Sequence, residues 1–180
     1  MDNGKISVRY ARALLSLAQQ EQCEKEVYEG LMRLTQNYDH AMAQFNEILT
    51  NPIIGKEEKV NLLKSAAGEP LHPCLAHFIE FVADQKRESS TYRIALKYQE
   101  MYRESKDILL THVTTAAELP DETLRKLKGF VEQNFDCSAE MHITIDPSLI
   151  GGFILDIEND RMDASVAGQL EALKKKLVKE

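Results

Sequence analysis

His72, Cys74 and His77 lie within the short stretch LHPCLAHF and form the densest group of metal-ligating or nucleophilic side chains in the sequence. Structural zinc takes four ligands, usually as two closely spaced pairs, and no second pair follows at a suitable distance. As nucleophile and base, Cys74 and His77 lack a recognisable oxyanion loop and a third group to orient the imidazole. His77-Phe78-Ile79-Glu80 reverses the Glu-x-x-His order of di-iron bundles and is not repeated. A packed thiol is expected here, with no metal and no catalytic residue. His112 and His142 sit in strand-like segments and are expected as partly exposed polar positions.

The second candidate is DPSLIGGFILDIENDRMDASV, from Asp146 to Val166. Gly151-Gly152 lacks the later glycine and the Lys-Ser/Thr of a phosphate loop, and an apolar strand-like run follows it where a phosphate loop leads into a helix. Asp156, Glu158 and Asp160 alternate as calcium ligands do. The sixth loop position would then be Arg161 in place of glycine, and the twelfth Ala167 in place of a bidentate acid. The acids are expected as turn residues between a strand and the last helix, which Asp163 or Ser165 caps. Asp146-Pro147-Ser148 is turn chemistry, and the two glycines permit unusual backbone angles and close approach at a strand start. No cofactor is implied.

Composition narrows the remaining classes. The 180 residues carry a net charge of −7, 43% apolar and 28% charged side chains, 8 glycines and 5 prolines. That is ordinary globular composition with little room for linkers. The acidic balance argues against nucleic acid, which needs clustered Lys and Arg. Lys174-Lys175-Lys176 is the one dense basic run, and it suits a helix C-terminus. No apolar run approaches the roughly 20 residues of a bilayer span. Cys23, Cys74 and Cys137 form no CxxC pair and read as reduced thiols. The opening MDNGKISVRYAR has no apolar signal region and makes a poor transit peptide, so a bacterial protein is expected over a mitochondrial one.

The elements that must position these residues divide into two regions. Residues 1–105 read as six helices joined by short turns, a compact bundle. In ISVRYARALLSLAQQEQ, Tyr10, Leu14, Leu17 and Ala18 form one stripe, flanked by Ala11 and Ala13, whose small side chains suit close approach of another helix. Val27, Leu31, Leu34 and Tyr38 make a second stripe. AMAQFNEIL stops before Pro52, and GKEEKVNLLKSAAG is capped at Gly68. CLAHFIEFVADQ turns Leu75, Phe78, Ile79 and Val82 to one side, and SSTYRIALKYQEMYRES closes the bundle. Residues 106–180 read as strand, helix, strand, strand, helix, a smaller α+β module. Its helix LPDETLRKLKGFVEQNF turns Leu124, Leu127, Phe130 and Val131 inward, and Met141, Ile143 and Ile145 alternate along a half-buried strand. The first region carries 13 basic and 15 acidic residues, the second 9 and 14.

Several of these segments match a known pattern. Tyr10-Ala11-Arg12-Ala13-Leu14, the run NPIIGKEEKVNLL, the run VTTAAELPDETLRKLKGFVEQ and above all IDPSLIGGFILDIENDRMDASVAGQLEAL resemble the delta subunit family of the F-type ATP synthase. The mitochondrial member is the oligomycin-sensitivity-conferring protein. The resemblance runs essentially end to end, and its most specific part is the signature Asp146, Ser148, Gly151, Gly152, Asp163, Ser165, Val166. Ala164 stands where many members carry glycine, and Ala167 and Gln169 where many carry arginine.

The resemblance implies a non-catalytic stator, with an N-terminal six-helix bundle on the catalytic head and a C-terminal module on the peripheral stalk. A groove between the first and fifth helices is expected to receive the N-terminal helix of an alpha subunit. Carried over, that groove would be lined by Tyr10, Ala11, Ala13, Leu14, Leu17 and Ala18 from the first helix and Leu75, Phe78, Ile79 and Val82 from the fifth. The C-terminal module is expected to take the C-terminal end of the b subunit. The implied place is peripheral, on the cytoplasmic face of the bacterial inner membrane, with no nucleic acid and no small-molecule substrate. The alternative is an unrelated helical adaptor with an α+β tail, which shares the stripes but not the signature.

Overall fold

The computed structural model describes residues 3–157 and 160–177, the side chains of Asn3, Ala172 and residues 175–177 excepted. The chain divides into two compact units after Tyr102. It is mostly helical, with one small mixed sheet.

The first unit is built from α1 (Asn3–Gln20), α2 (Glu24–His40), α3 (Met42–Thr50), α4 (Lys56–Ala67), α5 (Pro73–Asp84) and α6 (Thr91–Ser105) as far as Tyr102, with a short 3-10 turn at Glu88–Ser90 ahead of α6. Boundaries follow local chemistry. Asn51 takes an extended conformation ahead of Pro52 and ends α3. Gly68, at φ +73°, ends α4 as expected. The last carbonyls of α4 are satisfied from α2, where Arg33 Nε donates to the Ala67 carbonyl at 2.7 Å and Asn37 Nδ2 to that of Ala66 at 2.9 Å. Proline occupies the first turn of α5, where its missing N–H costs nothing.

The core of this unit collects Leu31, Leu34, Leu63, Leu75, Ile79, Val82, Ile94 and Tyr98, all essentially without exposed surface. Two polar devices are buried with them. Gln99 Nε2 donates to the Leu31 carbonyl and to Thr35 Oγ1, each at 3.1 Å, tying α6 to α2. The Lys59 ammonium pairs with Glu88 at 3.3 Å, with both side chains largely enclosed. On α1 the inward stripe differs from the expected one. Ser7, Ala11, Leu14 and Ala18 are buried, whereas Tyr10 is half-buried and Ala13 and Leu17 are exposed. The smallest side chains thus take the inward centre of α1 and let it lie close to its neighbours, pushing the bulkier Tyr10 and Leu17 to the flank.

The second unit holds β1 (Ile108–Thr115), α7 (Asp121–Phe135), β2 (Ser138–Ile145), β3 (Phe153–Ile157), β4 (Asp160–Asp163) and α8 (Val166–Leu177). The sheet order is β2-β1-β3-β4. Parallel β1 and β2 are joined through α7, while β3 runs antiparallel to both β1 and β4. Val113, Val131, Ala139, Leu155 and Ile157 form the core between α7 and one sheet face, with Leu109, Leu127, Met141 and Phe153 packed against it. Three expectations fail here. Asp160–Asp163 is a fourth strand where a turn was expected, because backbone pairing with β3 overrides the low strand propensity of its acids. Phe130 is 50% exposed, not inward. Ile143 and Ile145 share the face of Val113 and Thr115 in the β1–β2 register but remain exposed.

Candidate functional site

The chemical candidates do not assemble into a catalytic arrangement. His72 Nδ1 accepts from the Cys74 backbone N–H at 3.3 Å and so caps α5 in the manner of Asn or Asp. His77 is exposed on the same helix, and burial pushes the Cys74 thiol up to about 12, leaving it protonated and unreactive at neutral pH. His112 and His142 face each other across β1 and β2 with ring centroids 5.6 Å apart, and Glu140 lies 3.3 Å from His142. Asp156 lies on β3 opposite Arg161 of β4, 3.6 Å away, so these charges belong to paired strands and not to an ion-binding loop. Glu158 lies outside the described residues, as do the side chains of Lys175 and Lys176.

The Asp146–Val166 residues do converge, and what they build is a structural lock. Asp146 accepts from the Ser148 N–H at 2.9 Å, and its own N–H donates to the Thr115 carbonyl at 2.7 Å, which fixes the turn beyond β2 to the end of β1. Gly152 adopts φ +76°, and a Cβ there would fall 2.2 Å from the Ala164 carbonyl oxygen. At Gly151 a Cβ would press on Val166 at 3.2 Å, while the Val166 N–H donates to the Gly151 carbonyl at 2.9 Å. Asp163 accepts from both the N–H and the hydroxyl of Ser165, at 2.9 and 2.6 Å, and Ser165 Oγ in turn accepts from the Gly168 N–H at 3.0 Å. Ser165 is therefore the cap of α8 and Asp163 its orienter. These bonds from Ser148 and Ser165 hold the Asp146 and Asp163 carboxyls below the ordinary range. Gly168 went unnoticed in the sequence; a Cβ there would meet Asp163 Oδ2 at 2.5 Å.

The expected helix-receiving residues sort into two layers. Ala11, Leu14, Ala18, Leu75, Phe78, Ile79 and Val82 are core residues of the helical unit. Tyr10, Ala13 and Leu17 reach the surface of α1, spaced to make one stripe. Sequence reasoning missed their counterpart on α5, Phe81, which is 51% exposed and stands with its ring centroid 6.0 Å from that of Tyr10. A wheel of α5 would have found it, since Phe81 is the large apolar side chain left over once Leu75, Phe78, Ile79 and Val82 turn inward. Beside this pair a cleft of about 450 Å³ is lined by Lys5, Ile6, Arg9, Tyr10, Gln85 and Arg87. A second, of about 640 Å³, runs along α1 past Val8, Arg12 and Ala13. The outer side of α1 is thus apolar and cationic, on a chain whose net charge is −7. No acid is present anywhere in Asn3–Gln20.

The sequence matches the family described as ATP synthase delta (OSCP) subunit over residues 6–177. A Parabacteroides distasonis protein named ATP synthase subunit delta is 36% identical over 174 residues, covering 97% of this chain and 96% of its own. One of the same name from Phocaeicola vulgatus is 32% identical over 176 residues, covering 97% and 95%. The chain belongs to the ATP synthase delta (OSCP) subunit family. Among solved structures, a chain of the Toxoplasma gondii mitochondrial ATP synthase hexamer superposes with a TM-score of 0.66 at 22% identity, covering 96% of this chain and 97% of that one, which establishes a shared fold. The lock around Gly152 and Ser165 serves the fold of the second unit. No described helix is long and apolar enough to cross a membrane.

Proposed function

We propose that this chain is the stator link of an F1Fo ATP synthase, joining the catalytic head to the peripheral stalk so that shaft rotation does work on the head and does not carry it round. It is a non-catalytic subunit of a membrane-associated complex, to which it attaches peripherally. The finer assignment joins what the family resemblance implies to the surface chemistry of α1 and α5. The six helices act as one bundle that receives an amphipathic helix from the alpha-subunit N-terminus along Tyr10, Ala13, Leu17 and Phe81, supported from beneath by the buried apolar residues of α1 and α5. Lys5, Arg9, Arg12 and Arg87 select an acidic polar face on that helix. The α+β unit takes the C-terminal end of the b subunit, and the complex sits on the cytoplasmic face of a bacterial plasma membrane.

The observation that carries this reading is the exposed aromatic and aliphatic stripe between α1 and α5, rimmed by cations on an otherwise acidic chain. A link under torque needs slow release at both ends. Nanomolar holding corresponds to about 12 kcal/mol per contact, within reach of a standard interface with a few apolar anchors. Two attachments on one chain raise effective concentration, so a momentary release at one end does not lose the complex. The test is a calorimetric titration of the full chain with a peptide of the alpha-subunit N-terminus. Leu17→Asp is expected to weaken binding by about a hundredfold, roughly 2.7 kcal/mol, while helix content stays unchanged. Undiminished affinity would place the receiving surface elsewhere.

A further inference from the structure

We propose that Glu21, Cys23 and Cys74 form a binding site for one thiophilic divalent cation of the zinc class, held by two thiolates and one carboxylate where the α1–α2 corner meets the start of α5. The ligand atoms of all three residues already lie within 4.8 Å of one another, and among the described residues this is the one such constellation. Both thiols are buried and in contact with each other, while Glu21 is exposed. Gln22, between two of the ligands, holds φ at +56°, which turns the corner so that Glu21 and Cys23 approach Cys74 from the same side. The Cys23 N–H donates to the Ala18 carbonyl at 2.9 Å, which ties the corner to the end of α1.

Charge is the second argument. Cys23 occupies the N-cap of α2, where its side chain accepts no capping bond, and Cys74 is the second residue of α5. Both sulfurs thus belong to residues at a helix N-terminus, a position that favours thiolate. Without a cation, burial outweighs this and keeps both thiols protonated. A bound divalent ion reverses the balance. Each thiol releases its proton to solvent, two metal–sulfur bonds and one metal–oxygen bond form, and the complex carries one net negative charge facing two helix N-termini. Three protein ligands would leave one position of a tetrahedral ion for water. Such an ion would staple the α1–α2 corner to α5 across about fifty residues of chain without closing the stripe at Tyr10 and Phe81.

Cadmium and zinc titrations of the reduced full-length chain test this. Cadmium is expected to produce its thiolate charge-transfer absorption and to saturate at one ion per chain, with zinc displacing it. Because two protons leave on binding, affinity should rise about a hundredfold per pH unit near neutrality. Cys137→Ser should change nothing, Cys23→Ser and Cys74→Ser should abolish the band, and Glu21→Gln should weaken binding about tenfold. Circular dichroism reports whether the serine variants fold. If either does not, exposed Glu21 decides, and unchanged affinity of Glu21→Gln overturns the site. So does a band missing from the wild-type chain, retained in Cys74→Ser, or lost in Cys137→Ser.

Discussion

The two glycines at 129 and 152 offer the same substitution with opposite expected outcomes in one unit of the protein. At Gly152 an alanine must hold φ near +76°, a region in which a Cβ is strained. Its Cβ would lie 2.2 Å from the Ala164 carbonyl oxygen, well inside the 3.0 Å below which real Cβ contacts essentially do not occur. The obstacle is backbone and cannot rotate away. It is also pinned, because the Ala164 N–H donates to the Phe153 carbonyl at 2.9 Å and the next residue caps α8. Strain plus overpacking should destabilise the α+β unit by about 2–4 kcal/mol. Gly129 lies inside α7 with nothing within 4 Å of its would-be Cβ, and alanine there should stabilise by about 0.8–1 kcal/mol. All six tyrosines lie at or before Tyr102, so tyrosine fluorescence follows the helical unit alone. Urea denaturation followed by hydrogen exchange at β3 and α8 amides, beside tyrosine fluorescence, separates the two units. Gly152→Ala should lower protection in the second unit and leave the tyrosine transition in place. If both substitutions shifted protection by less than about 0.5 kcal/mol, or in the same direction, the account of the lock would be wrong.

Further outcomes follow from the same contacts. Glu88→Gln strands the buried Lys59 ammonium and should cost about 3 kcal/mol in a tyrosine-monitored urea titration, whereas Lys59→Met with Glu88→Leu should recover much of that loss; a double variant as unstable as the single would contradict it. The Asp163 carboxyl is held below its ordinary 3.8 by Ser165, so its contribution is present above that value and lost as pH falls through the lower folded value. Exchange protection of the first α8 amides should therefore fall on acidification below about pH 4, and Asp163→Asn should remove that pH dependence. Phe81→Ala should weaken alpha-peptide binding by about 1–2 kcal/mol in the calorimetric titration, with an unmoved thermal transition. Loss of the thermal transition instead would make Phe81 a folding residue.

Much of this was legible because it is local. The stops at Pro52 and Gly68, the stripe Val27, Leu31, Leu34, Tyr38 and the switch to strand at Ile108 each rest on a few neighbouring residues. The length and order of the Asp146–Val166 run carry the family resemblance without any geometry. What the sequence could not order was depth. On α1, Ala11 and Leu17 are both apolar and each three residues from Leu14, and only the close approach of neighbouring helices decides that the alanine goes in and the leucine stays out. Strand β4 was hidden for a related reason. Asp160-Arg161-Met162-Asp163 has poor strand propensity, and its pairing is imposed by Ile154–Ile157 across the sheet, a tertiary cause with no local trace. Phe81 lies on the flank of the inward stripe of α5, where periodicity alone does not separate a surface anchor from a core residue.

Inside-out membrane vesicles carrying the synthase, stripped of this chain and then given it back, address the central claim most directly. ATP hydrolysis and ATP-driven proton uptake are recorded together. A passive link predicts that stripped vesicles hydrolyse ATP without acidifying their interior, that the intact chain restores acidification, and that the Leu17→Asp chain restores it only at much higher concentration. Stripped vesicles that pump at the full rate would contradict the account.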